Sequence, residues 1–226
     1  MTVALSTLAP ALRIELPGIP NPVLDDAIVR VVRQFFWNSE AWKYTSDNPK
    51  DWTAGQASIP ALTPGTDIPA GTILKRIDTV KYDSDGDQWD EEISFFTRDE
   101  LDRENTDWES ETGTSPTAWT IDNDGAARII PTQTSTVTSG LLLRAVIAPS
   151  GTIATVIPDF LFYENEETMK AGVFAQLMKQ PGKEWTDFQA AGVYSSGFVE
   201  GIKRAKSRAE AGFGQPKGSM AYGGIQ

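Results

Sequence analysis

Between Leu24 and Phe36 the apolar residues fall on one helical face. Leu24, Ile28, Val31 and Phe35 recur at spacings of 4, 3 and 4, and Val32 and Phe36 widen the stripe. Asn21-Pro22 supplies the start, with Asn as the cap and Pro at the first helical position, where its missing N–H costs nothing. Asp25 and Asp26 are expected in the first turn, where the helix dipole favours acids. The pattern predicts a helix running to Trp42. From Asn48 the periodicity breaks. Pro49, Pro60, Pro64 and Pro69, interleaved with Gly55, Gly65 and Gly71, exclude a long helix.

Short β-like runs follow at residues 72–82, 93–97, 118–121, 126–130, 141–148 and 152–157. Asp122-Asn123-Asp124-Gly125 reads as a hairpin turn, and Pro149-Ser150-Gly151 as another. Thr97 followed by Glu100 predicts a capping box and a short helix over 98–109. Helical spacing returns at Asp159, where Leu161, Met169, Val173, Phe174 and Leu177 share a face that Pro181-Gly182 ends. A third helix is predicted from Lys183, with Trp185, Phe188, Gly192, Ser195, Val199 and Ile202 at helical spacing. Gly212 is its stop. Gly192, Ser196, Gly197 and Gly201 would let another backbone approach, which offsets the ~1 kcal/mol of helix propensity that each glycine costs relative to Ala.

These elements predict an α+β chain: an antiparallel helical bundle of three main helices, an inserted small antiparallel β module and an extended C-terminal tail. The expected boundaries are an N-terminal segment and first helix at 1–47, the β module at 48–157, a helical hairpin at 158–211 and a docking tail at 212–226. The tail is mostly Gly, Ser, Gln, Lys and Ala, with Phe213, Met220 and Tyr222 as sparse anchors. That composition predicts order only against a partner.

Composition then narrows the chemistry. With 40% apolar residues among 226, the chain can bury a sizeable core. Cysteine and histidine are both absent, which removes disulfides, thiolate chemistry and the commonest general base and metal ligand. No apolar run approaches the ~20 residues of a membrane span. The net charge of −11 is local: residues 83–111 hold 13 acids against Arg98 and Arg103, and the rest of the chain balances. Asp83, Asp85, Asp87, Asp90, Glu91 and Glu92 are the head of that run, a surface that repels nucleic-acid phosphates.

Asp83-Ser84-Asp85-Gly86-Asp87 resembles the opening of a calcium loop. Gln88 and Ser94 stand where an EF-hand needs Gly and Glu, so a hairpin turn is the better reading. Trp89, Trp108 and Trp119 would suit a sugar platform if exposed and a core if not; burial is the commoner state. Lys203, Arg204, Lys206 and Arg208 crowd the end of the third helix, as dipole compensation or as a docking patch for an acidic partner. No enzyme activity, cofactor or metal is expected.

Several segments together resemble the head-to-tail adaptor (connector) family of tailed bacteriophages, in its short-tailed form, known as tail tubular protein A or gatekeeper. They are Phe36-Trp37-Asn38-Ser39-Glu40-Ala41-Trp42, Ile129-Ile130-Pro131, Leu143-Arg144, Ile157-Pro158 and Pro181-Gly182-Lys183-Glu184-Trp185-Thr186-Asp187. Tyr194, Phe198, Gly201-Ile202-Lys203 and Ala205-Lys206 complete the set. The resemblance implies a virion structural protein of the tail or neck, present in the host cytoplasm during assembly. It implies a ring of about twelve copies between the portal and the next tail component, with DNA passing unread and no membrane contact. On that reading Lys203, Arg204, Lys206, Arg208, Phe213, Met220 and Tyr222 would dock on the portal. Phe35, Phe36, Trp185, Phe188, Gly192, Phe198 and Ile202 would pack neighbouring copies, and the acids from Asp83 to Glu92 would face the pore or the tail. A carbohydrate-binding or carbohydrate-cleaving tail module is the alternative function.

Overall fold

A computed structural model describes residues 1–83, 91–122 and 126–212. The chain divides into two compact units, Met1–Ala41 with Ile157–Gln226, and Trp42–Val156.

In the first unit, strand β1 (Thr2–Ala4) pairs with β11 (Val156–Pro158). A 3-10 turn at Leu5–Leu8 leads into α1 (Ala9–Glu15). Three longer helices follow, α2 (Asn21–Ser39), α4 (Asp159–Met178) and α5 (Phe188–Glu210). α2 buries Leu24, Ile28, Val31, Val32, Phe35 and Phe36, the stripe read from its spacing. Its start lies one residue earlier than expected: Pro20 is the cap position, Asn21 is already helical, and Asp25 and Asp26 fall beyond the first turn. The helix ends at Ser39, short of Trp42, because Glu40 takes a left-handed conformation at φ 55°.

α4 buries its predicted face of Leu161, Met169, Val173, Phe174 and Leu177. α5 starts at Phe188, not at Lys183. The carboxylate of Asp187 accepts the N–H groups of Gln189 and Ala190 at 3.0 and 2.9 Å, so the cap sets the boundary. Two glycines close the helices on one another. A Cβ on Gly172 would stand 2.5 Å from Val31 Cγ1 of α2 and 2.7 Å from the Phe198 ring of α5. One on Gly201 would stand 2.2 Å from Thr168 Cγ2 of α4.

The second unit holds β2 (Lys43–Thr45), β3 (Lys50–Trp52), β4 (Thr72–Tyr82), β5 (Glu91–Phe95), α3 (Arg98–Glu104), β6 (Thr112–Gly113), β7 (Ala118–Ile121), β8 (Ala127–Ile130), β9 (Thr132–Gln133) and β10 (Val137–Pro149). Seven strands form one sheet in the order β2-β10-β4-β5-β7-β8, with β3 also on β10. β6 and β9 pair apart from it. This corrects the expected fold class. The chain is a mixed α and β protein, with five helices among the described residues and a large curled seven-stranded sheet, not a three-helix bundle carrying a small β insertion. Nor is the sheet purely antiparallel, since β5 and β7 run parallel. The expectation failed because 141–148 reads as one arm of a hairpin. In the structure it is the middle of a thirteen-residue strand that β2, β3 and β4 all pair with.

β10 buries Leu141, Leu143 and every residue from Ala145 to Ala148, as a strand covered on both faces requires. A smaller core gathers Leu101, Trp108, Ala118 and Ile130. The guanidiniums of Arg98 and Arg128 lie 5.3 and 5.2 Å from the Trp108 ring centre. The capping box of α3 forms as read: Glu100 accepts the Thr97 backbone N–H at 2.8 Å. The 118–121 and 126–130 runs pair as β7 and β8, with Asp122 N–H donating to the Ala126 carbonyl at 2.7 Å; residues 123–125 lie outside the described set.

One buried ion pair staples the proline-rich segment. Asp67 is fully buried, bonded to Lys50 Nζ at 2.7 Å and accepting the Thr63 N–H at 2.7 Å. Burial pushes its pKa up, but the Lys50 and Thr63 contacts more than offset that and hold it below the usual carboxylate range. Between the folded and unfolded values the unfolded chain takes up a proton that the folded chain does not. The contribution is complete at neutral pH and is lost as pH falls through about 4, the unfolded carboxyl value, toward the lower folded one.

Two outcomes follow in urea unfolding. Asp67→Asn lowers stability by about 2 kcal/mol at pH 7 and flattens the acid limb below about pH 4; an unchanged acid limb would contradict the staple. Gly201→Ala lowers stability by about 1–3 kcal/mol despite the better helix former, because its methyl overpacks Thr168.

Candidate functional site: the outward face of α5

The stripe read along α5 lies on its outer side. Phe188 is 64% exposed, Val193 71% and Val199 47%, and Gly192 is exposed with them. The inward face consists of Ala191, Phe198, Gly201, Ala205 and Ala209. Four of those five are Ala or Gly, so only Phe198 stood out as apolar in the sequence, and the bulkier outward set was the more visible one.

The glycines divide the same way. Gly201 and Gly172 are required by helix contact, as their blocked Cβ positions show. Around Gly192 and Gly197 a Cβ would meet nothing within 4 Å. Both sit inside a helix, where glycine is costly, and nothing among the described residues uses their lack of a side chain. Ser196 lies between them, its hydroxyl donating back to the Gly192 carbonyl at 3.2 Å. The outward face is thus smooth and partly apolar.

A groove of about 410 Å³ adjoins this face. Gly172 and Ala175 of α4 contribute to its lining, with Val31 and Gln34 of α2 and Ser195 and Val199 of α5. Lys179 also lines it and contacts the Ser195 hydroxyl at 3.4 Å.

Further along α5 the face turns basic. Lys203, Arg204, Lys206 and Arg208 are all exposed. Arg208 alone lies in the last turn, and it pairs with Glu164 at 3.2 Å across half-exposed side chains. Dipole compensation explains Arg208. Lys203, Arg204 and Lys206 stand earlier and take no ion-pair partner among the described residues.

Other expected site residues land elsewhere. Phe35 and Phe36 are fully buried and Phe198 is 6% exposed. These three build the unit's own interior and are not available to a neighbouring copy. Trp185 and Ile202 are half-buried. Phe213, Met220 and Tyr222 lie outside the described residues, as do Asp85, Asp87, Asp90 and Trp89. Asp83 is buried, its N–H donating to the Gly140 carbonyl at 3.1 Å, so it does not present charge to a partner. Glu91 opens β5, and Glu92 is exposed. Trp108 and Trp119 are each 2% exposed, and Trp108 Nε1 donates to Asp102 at 2.7 Å; neither offers a sugar platform. Among the described residues no helix is long and apolar enough to cross a membrane.

No family model matches this chain, and no curated protein matches it in sequence.

Gly192→Ala and Gly197→Ala should each raise the stability of the isolated chain by about 0.5–1 kcal/mol, the reverse of Gly201→Ala. Urea unfolding of the monomer checks the sign; a loss at either position would mean that the face is packed within the chain.

Proposed function

We propose that this chain is a head-to-tail adaptor of a short-tailed phage virion. In this reading about twelve copies form a closed ring beneath the portal and above the next tail component. The ring is structural, and DNA passes through it without being read.

The observation that carries the reading is the outward face of α5. It holds two glycines with no packing use among the described residues, three exposed large apolar residues and a groove alongside. Glycine inside a helix is tolerated where another surface comes close, and exposed apolar area continuous with a groove marks an interaction surface. Lys203, Arg204 and Lys206, which have no ion-pair partner among the described residues, extend the face toward the end of α5 and suit an acidic patch on the portal. The motif order along the sequence supports the partner class. The acidic run over 83–111 suits a surface along which DNA slides instead of sticking.

In a closed ring each contact joins two different patches of the subunit. The α5 face is one of them, with the portal or a neighbouring copy as its occupant.

Native mass spectrometry of the purified chain, alone and with a cognate portal, tests this. Rings of about twelve copies in either sample are expected. A monomer that ignores the portal would overturn the reading. Gly197→Leu separates folding from assembly: its side chain projects into open space, so monomer unfolding is unchanged or improved, while the ring is lost.

A further inference from the structure

We propose that the second unit carries an oxyanion site of phosphate size on its sheet, independent of the α5 face and of the adaptor reading. The site is a cleft of about 200 Å³ lined by Thr45, Thr79, Lys81, Glu92, Leu142 and Arg144.

Its centre is one cross-strand row. Arg144 of β10 stands opposite Thr45 of β2 on one side and Thr79 of β4 on the other. Two hydroxyls therefore flank one guanidinium. Lys81, two residues along β4, adds an ammonium beside them.

The guanidinium is held in place from behind. Asp78, its side chain 10% exposed, forms an ion pair with Arg144 Nε at 3.4 Å, and it also pairs with Lys43 at 3.1 Å and Arg76 at 3.2 Å. Anchoring an arginine through Nε leaves its two terminal nitrogens for a second oxyanion, the fork that matches phosphate geometry. Those nitrogens, the Thr45 and Thr79 hydroxyls and Lys81 Nζ take no partner among the described residues. Charge points the same way. Lys43, Arg76, Lys81 and Arg144 outnumber Asp78 and Glu92 by two, in a chain whose net charge is −11. Glu92 faces Lys81 across the β4–β5 pair without bonding it, and among the described residues lining the cleft it is the one that opposes an anion.

The ligand class is a phosphate group, either free inorganic phosphate or a phosphodiester of nucleic acid. The test is titration of the ¹⁵N-labelled full chain with inorganic phosphate, with chloride holding ionic strength constant. Saturable shifts are expected at the Thr45, Thr79, Lys81 and Arg144 amides and at Arg144 Nε. Arg144→Gln abolishes them. Thr79→Val, which keeps the Arg144–Asp78 pair, weakens binding several-fold, and Glu92→Gln tightens it. A short DNA duplex that produces the same shifts and displaces phosphate identifies the phosphodiester as the source; a duplex that produces neither leaves free phosphate as the ligand. Shifts that grow linearly without saturating, or that persist in a folded Arg144→Gln chain, overturn the site. So does Thr79→Val binding phosphate as the wild type does.

Discussion

The helical unit depends on the close approach of α2, α4 and α5 at two glycines. Gly172 sits under Val31 and the Phe198 ring, and Gly201 sits under Thr168. With any larger residue there the helices would stand further apart, and interior packing tolerates little adjustment. That approach lets α5 use an inward face made almost wholly of Ala and Gly. It also fixes which side of α5 points out. The bulky residues Phe188, Val193 and Val199 are left on the surface because the small ones are needed inside.

The second unit has its own dependence, on β10. This strand takes β2 and β3 along one edge and β4 along the other, and its middle is buried residue after residue. The proline-rich stretch before β4 touches the sheet through one antiparallel bridge, with Ile59 N–H donating to the Ala127 carbonyl at 2.7 Å and Ile129 N–H to the Ala57 carbonyl at 2.8 Å. The buried Asp67–Lys50 pair and short-range turn bonds such as Gly65 N–H to the Ile68 carbonyl at 2.7 Å secure the rest of it. The same sheet offers polar groups in a fixed row, so Thr45, Arg144 and Thr79 meet through strand register alone.

Much of the helical unit was legible in the sequence. α2 and α4 bury large residues at helical spacing, and such stripes have one reading. On α5 the spacing did not separate the inward face from the outward one, and Phe198 was grouped with the outward residues although it is core. Two stripes run along it, and the one of larger residues is the outer one, while of the glycines read as close-contact positions only Gly201 closes on another helix of the described chain. Which glycine closes a contact depends on where Thr168 arrives from α4, and nothing local to Gly201 encodes that. The sheet was legible only in pieces. The runs at 72–82, 118–121 and 126–130 emerged as strands, but a strand that pairs with three others and the parallel β5–β7 contact both come from pairing between segments distant in the chain. The capping box at Thr97 and Glu100 was legible because it is complete within four residues.

The central claim is that the outward side of α5 is covered in the assembled particle. The chain has no cysteine, so single cysteines introduced at Val193 and Ser196 can be labelled without background. Thiol labelling rates are compared between the free chain and the portal-bound ring, with an introduced cysteine at Thr53 of the other unit as the reference. Coverage of α5 predicts fast labelling at both α5 positions in the free chain and strong protection in the ring. Equal rates at Val193 and Ser196 in the free chain and in the ring would contradict it.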